Sequence, residues 1–261
     1  MRPTLSFGVI VFVTPLFAQP GKLSPGEQSA VIQAVREYAL SYTKTLPNYT
    51  CALATREVAY PTNAGNKIDP VLTKIEEQLS FVNGKEIRKI ARIDGRPASP
   101  EAGAQLRETT EGEFGALLDV IFETATRAEL VWDRGATLDK RKVDVIAFRV
   151  PQARGYVLNG SRGSVRVPFE GFIYADSQTH AVMRLQMKCV MIPPEFEMQL
   201  FSLTLDYKAA HVAGHEALLP SHFVVNYRDF SDDRQHTDDG QYSDYHEFSA
   251  NATLQLGDTK Q

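Results

Sequence analysis

From Ala128 onward the chain changes side at almost every residue, and this sustained period of two decides what it can fold into. Strands are predicted over 128–133, 140–150, 163–175, 180–191, 197–209, 217–228 and 242–254. Upstream the same alternation marks 49–58, 71–82 and 85–94, the last two flanking Asn83-Gly84, a strong short hairpin signal. That makes about ten strands, eleven if Gly155–Leu158 counts. Turn-rich segments such as Asp176-Ser177-Gln178-Thr179 and Ala213-Gly214-His215 separate them, and neither a repeat nor a linker divides the chain. The predicted class is mainly β (α+β): a single large curved antiparallel sheet, an open half-barrel, within one domain.

Two segments depart from that period. Ser24-Pro25-Gly26-Glu27 combines an N-cap, a proline at the first helical position and a capping-box glutamate. Ala30, Val31, Ala34, Val35, Tyr38 and Tyr42 then recur at helical spacing, which predicts a helix from Pro25 to Thr45. A second capping box, Thr110-Glu111-Gly112-Glu113, precedes the stripe Phe114, Leu117, Leu118, Ile121, Phe122 and Ala125. A helix over 113–125 would lay that stripe on the concave face of the sheet.

Residues 1–18 have the layout of a secretory signal peptide: Arg2, an apolar run from Leu5 to Phe17, and Ala18 at the cut. The run is too short to serve as a comfortable membrane anchor. Without it 243 residues remain as one domain, 19–261, and the formal charge moves from −4 to −5 with the loss of Arg2. A mildly acidic chain with dispersed lysines and arginines has no electrostatic footprint for nucleic acid. The expected location is the periplasm or the exterior, which permits a disulfide. Cys51 and Cys189 are the only cysteines, so they form either one bridge or two buried thiols. A bridge closing so long a loop would contribute about 3–5 kcal/mol in the chain-entropy model.

The strand at 183–191 is the most informative surface. Met183, Leu185, Met187, Cys189 and Met191 alternate against Arg184, Gln186 and Lys188. Phe201, Leu203, Leu205 and Tyr207 share one face of the next strand. Such faces form either an ordinary core or, since methionine adapts to irregular apolar partners, the lining of a ligand cavity. The candidate lining residues are Met183, Leu185, Met187 and Met191 from the sheet, with Phe114, Leu117, Ile121 and Phe122 from the helix.

No arrangement of residues reads as a catalytic motif, and no cofactor is implied. His211 and His215 are four apart, but Gly214 places them in a hairpin, and His222 could join them only through the fold. Asp229, Asp232, Asp233, Asp238, Asp239 and Asp244 crowd a segment expected to be a polar hairpin loop, without calcium-loop spacing. Gly160-Ser161-Arg162-Gly163 lacks the lysine and helix of a phosphate loop. Glu195 and Glu197 after Pro193-Pro194 fit a connecting turn as well as a carboxylate pair.

One stretch resembles a known family. Gly171, Ile173, Asp176, Thr179, Val182, Arg184 and Leu185 match the pattern G-x-I-x-x-D-x-x-T-x-x-V-x-R-L of the LolA/LolB-like superfamily, periplasmic lipoprotein carriers and related sensors. Leu205-Asp206-Tyr207 and Leu218-Leu219-Pro220 resemble the next hairpin, so the similarity covers about 165–228 closely. It implies an open, strongly curved sheet with helices over an apolar cavity, and no lid residue carries over. The expected function is a periplasmic or secreted carrier of an apolar or lipidated ligand. The alternatives are an envelope module that docks a protein partner through the sheet, and an envelope enzyme.

Overall fold

The computed structural model describes residues 23–62, 69–99, 115–212 and 214–248. The signal segment, the capping box at 110–113 and Phe114 therefore lie outside the described residues.

Helix α1 spans Pro25–Thr45. Its capping box is complete: the Ser24 amide donates to Glu27 Oε2 at 2.7 Å, and the Glu27 amide donates to the Ser24 hydroxyl at 3.4 Å. Val35, Ala39 and Tyr42 form its buried face. The Tyr42 hydroxyl donates to the Leu218 carbonyl at 2.6 Å, and its ring meets Tyr207 edge-on at 5.8 Å. One helical stripe is thereby fastened to the sheet.

The strands are β1 (Tyr49–Pro61), β2 (Val71–Val82), β3 (Lys85–Ile93), β4 (Arg96–Pro97), β5 (Glu129–Leu138), β6 (Arg141–Val150), β7 (Tyr156–Gly160), β8 (Gly163–Val167), β9 (Phe169–Asp176), β10 (Val182–Cys189), β11 (Met198–Val212), β12 (His215–Asp229) and β13 (Arg234–Glu247). Eleven of them make one sheet in the order β4-β3-β2-β1-β13-β12-β11-β10-β9-β6-β5. Its pairs are antiparallel, and β4 and β5 end it without closing a barrel. The last strand, β13, joins the N-terminal strands to the rest by lying between β1 and β12. Asn83 and Gly84, at φ 51° and 75°, form the tight β2–β3 turn, which needs positive φ at both positions.

Three expectations change. The strand predicted over 163–175 breaks at Pro168, which has no N–H for a ladder. Its first half becomes β8 and pairs with β7 as a separate ribbon; only β9 joins the main sheet. The inserted helix is shorter than 113–125: α2 spans Ala116–Phe122, and Glu123 leaves helical space at ψ 132° before a single 3₁₀ turn at Thr124–Thr126. The acidic segment 229–244 is not a loop. It makes a turn at 230–233 and then runs as a central strand, β13, starting eight residues earlier than the predicted 242.

The strand–turn–strand of the resemblance has a structural explanation. Asp176 Oδ1 accepts from the Gln178 and Thr179 amides at 2.9 Å each and from the Thr179 hydroxyl at 3.1 Å, which fixes the β9–β10 turn. Arg184 clasps Asp206 on β11 with two guanidinium nitrogens.

Candidate functional site

One row of directly paired residues crosses the sheet and defines the site. It runs Leu130, Phe148, Gly171, Met187, Leu203, Val225, Asp238, Glu57, Thr73. Cross-strand partners share a face, so all of these side chains project to the same side. From Phe148 to Val225 the row is apolar apart from the glycine; at Asp238 and Glu57 it turns acidic.

At the apolar end the face is filled. Ile173, Leu185, Met187, Leu203 and Leu205 belong to one continuous buried cluster with Val35 of α1 and with Leu118, Ile121 and Phe122 of α2. At the acidic end it is open. A cavity of about 780 Å³ lies between the sheet, α2 and the β7–β8 ribbon. Leu117 and Val120 line it from α2, Tyr156 and Leu158 from the ribbon, and Phe201, Phe223 and Val225 from the sheet. Gly240 shapes this face: a Cβ there would lie 2.1 Å from the Phe223 ring, so the missing side chain lets Phe223 lie across β13.

Charged groups cluster beyond Phe223. Glu57 and Asp238 face each other across β1 and β13. Asp238 is 6% exposed, and its Oδ1 has no hydrogen-bond partner. Burial, then the neighbouring Glu57 carboxylate, pushes its carboxyl up to about 7, against the pull of His236. His236 sits one inward position along β13. Its Nε2 is 3.1 Å from Asp232, its Nδ1 is 3.6 Å from Glu57, and its ring stacks on Tyr227 at 4.6 Å. The Glu57 carboxylate beside it raises its pKa, with Asp232 adding to the effect against burial. Glu77 also lines the cavity, and its carboxyl is raised by burial and lowered by the Arg88 charge.

The sequence-derived lining residues divide. Leu117 lines the cavity. Leu185, Met187, Ile121 and Phe122 are packed in the filled core. Met183 belongs to a separate small cluster with Val143 and Val145, because a register shift between Val182 and Arg184 breaks the alternation and turns Val182 inward in its place. Met191 lies past the end of β10 at φ 52° and is 78% exposed. Of the two states open to the cysteines, the structure has the second: Cys51 and Cys189 are free, buried thiols, each raised to about 12 by burial. They stand on β1 and β10, four steps apart in the sheet order, roughly 19 Å at the usual interstrand spacing and far beyond bridging range.

The histidine pair falls at the β11–β12 hairpin, as its glycine implied, and His222 approaches Asp239 at 2.8 Å and Asp206 at 3.6 Å instead. Among the described residues no group of three or more His, Cys, Asp or Glu side chains is placed to hold a metal ion. Ser161 and Arg162 form the ribbon's turn, docked on Glu197, which accepts from the Ser161 hydroxyl at 2.6 Å and from its amide. Glu57 and Tyr227 were missed, and Asp238 was read as part of a polar hairpin loop. The available signal was the alternation His236, Asp238, Gly240, Tyr242, obscured because acidic and turn-forming residues dominate the segment.

The opposite face of the sheet carries a shallower depression of about 600 Å³ around Phe172, Gln186 and Thr204, bordered by the exposed Val131. No helix among the described residues is long and apolar enough to cross a membrane.

No protein-family model matches the sequence, and no curated protein is significantly similar to it. Solved structures are similar at low identity. A domain provisionally assigned to outer membrane lipoprotein sorting in Vibrio parahaemolyticus is 8% identical, with a TM-score of 0.45, covering 88% of this chain and 97% of its own. A LolA superfamily protein from Nitrosomonas europaea is 12% identical, with a TM-score of 0.36 and coverages of 85% and 96%. The lipoprotein LppX of Mycobacterium tuberculosis is 11% identical, with a TM-score of 0.28 and coverages of 85% and 97%.

Proposed function

We propose that the chain is a secreted or periplasmic binding protein that carries a ligand with an apolar body in the cavity between the sheet, α2 and the β7–β8 ribbon. The observation that supports this reading is the cavity itself. Its volume of about 780 Å³ falls in the range of small-molecule sites, and Leu117, Phe201, Phe223 and Val225 offer apolar contact. Burial of apolar ligand surface there is worth about 25 cal/mol per Å², less the cost of ordering. The ligand position moves from the one that the 183–191 face suggested, since that face is largely filled by the core.

The test is binding of a neutral naphthalene dye whose fluorescence rises in apolar surroundings. The expected result is saturable binding by the full chain and loss of at least about tenfold in affinity for Leu117→Trp, which fills the cavity without adding charge. Retained melting temperature in that variant separates filling from unfolding. Absence of dye binding, together with no lipid recovered on extraction of the purified protein, refutes the carrier reading. The depression on the opposite face then makes protein docking the better account.

A further inference from the structure

The cavity has a charge imbalance that an apolar ligand does not explain. Glu57, Glu77, Glu197, Asp229 and Asp238 line it, against Arg88 as the one basic residue of that lining. Most of these charges have partners. Arg88 is engaged by Glu86 and lies near Glu77. Glu197 holds the Ser161 turn and stands 3.9 Å from Arg162, and Asp229 accepts from the Ser231 amide at 2.7 Å. Asp238 remains, with Glu57 beside it held by His236 at 3.6 Å. The two carboxylates are direct cross-strand partners, an arrangement that destabilises a sheet when both are charged. The nearest cation, His236, leans on Glu57 and Asp232, and Asp238 Oδ1 is left without any partner at 6% exposure. Buried polar atoms in folded proteins are seldom left so.

We propose that the ligand is an amphiphile with one positively charged end, an alkyl- or arylammonium, whose apolar body packs on Leu117, Phe201 and Phe223 while its ammonium sits on Glu57 and Asp238. This deepens the carrier reading and rests on it. An ammonium has three donors, enough to reach both carboxylates, and charge-assisted bonds are stronger than neutral ones. A hydroxyl at the same end donates once, and a carboxylate is repelled.

Binding is coupled to a proton. The groups that act on Asp238 are Glu57 from β1, His236 from β13 and Tyr227 from β12, with Asp229 and Asp232 gathered around Tyr227; Glu77 and Arg88 line the same cavity from β2 and β3. The lining from α2 (Ala116, Leu117, Val120) and from the ribbon (Tyr156–Ser161) is uncharged. Asp238, held protonated up to about 7 by burial beside Glu57, releases its proton when a cation arrives. Affinity for the ammonium therefore rises with pH through neutrality, and affinity for a neutral analogue does not.

The experiment is calorimetric titration of the full chain with dodecylammonium, dodecanol and dodecanoate, each below its aggregation limit, at pH 6 and pH 8. At the higher pH dodecylammonium should bind at least about tenfold more tightly than dodecanol, and its advantage should shrink several-fold at the lower pH. Asp238→Asn and Glu57→Gln should each remove most of the advantage of dodecylammonium over dodecanol, with melting curves confirming that both variants fold. Equal binding of dodecanol and dodecylammonium, or tighter binding of dodecanoate, overturns the cationic ligand and leaves the carrier reading standing. Failure of all three to bind overturns both.

Discussion

The two ends of one cross-sheet row behave differently. Around Met187 and Leu203 the inward positions are apolar and the space above them is occupied by α1 and α2. Three strands on, at Asp238 and Glu57, the inward positions are carboxylates and the space above them is a cavity. Backbone pairing is continuous across the change. The hydrogen-bond ladder therefore does not decide which part of the sheet becomes core; the side chains at inward positions do. Apolar residues call for a cover, because leaving them wet forgoes about 25 cal/mol per Å². Carboxylates resist cover unless paired, and Asp238 is covered without a pair. The filled end secures the fold, and the open end holds the unusual chemistry.

The largest effect that would break this contrast is a charge in the filled end. Met187→Glu places an unpaired carboxylate among Leu185, Leu203 and Phe201 and should cost roughly 3–5 kcal/mol, or prevent folding, as denaturant titration would show. A cost under about 1 kcal/mol would mean that this end is not closed.

Adjacent residues of the row locate the boundary. Leu203→Ala removes packing inside the core and should cost about 3 kcal/mol. Val225→Ala, its direct partner on the cavity, creates no new enclosed void and should cost about 1 kcal/mol. Val225 belongs to the same buried cluster as Leu203, so equal losses measured by thermal melting would mean that the cavity beside it does not soften the change.

The acidic end should show itself in the pH dependence of stability. The folded pKa of Asp238, about 7, exceeds the ordinary 3.8, so between these values the native state holds a proton that the unfolded chain has released. Its contribution is fully present below about pH 4 and is lost as the pH rises to about 7. His236, also raised above its ordinary 6.5, acts in the same direction over the window beginning there. Stability should fall by roughly 2 kcal/mol between pH 5 and 8, a shift of several degrees in Tm, and Asp238→Asn should flatten most of that slope. An unchanged slope in the variant would assign the titration elsewhere.

The smallest difference is expected between the two thiols. Cys51 stands on β1 and Cys189 at the end of β10, yet burial raises both to about 12. Neither should react with a thiol reagent in the folded protein, and both should react once it is unfolded. Faster labelling of Cys51 alone would mean that the cavity reaches farther along β1 than Thr55.

Much of the fold was legible because its signals are local. The Ser24–Glu27 box, the Asn83-Gly84 turn and the Asp176–Thr179 turn each depend on residues a few positions apart, and each forms as read. Strand alternation needs no partner to be recognised. Less of the site was legible, since of the seven proposed lining residues that the structure describes, Leu117 alone lines the cavity. The pattern of 183–191 could not reveal a bulge that depends on the register against β9, nor that Met191 falls beyond the last pairing. Glu57 and Asp238 are some 180 residues apart in the chain, and a strand rich in aspartate reads as a loop when its neighbours are unknown.

The sequence by itself determined the class of the protein: a long run of period two, punctuated by turns and preceded by one well-capped helix, leaves a large antiparallel sheet as its outcome. Local propensity and alternation suffice for that, because both are properties of adjacent residues. Only the tertiary structure decided where the sheet is covered, that Pro168 sends β8 into a ribbon, that β13 enters the middle of the sheet, and that Glu57 meets Asp238 over an open cavity. These depend on which strands become neighbours, and that is settled by packing the whole chain at once, since the free energy of a buried carboxylate or a filled core belongs to the surroundings rather than to the residue.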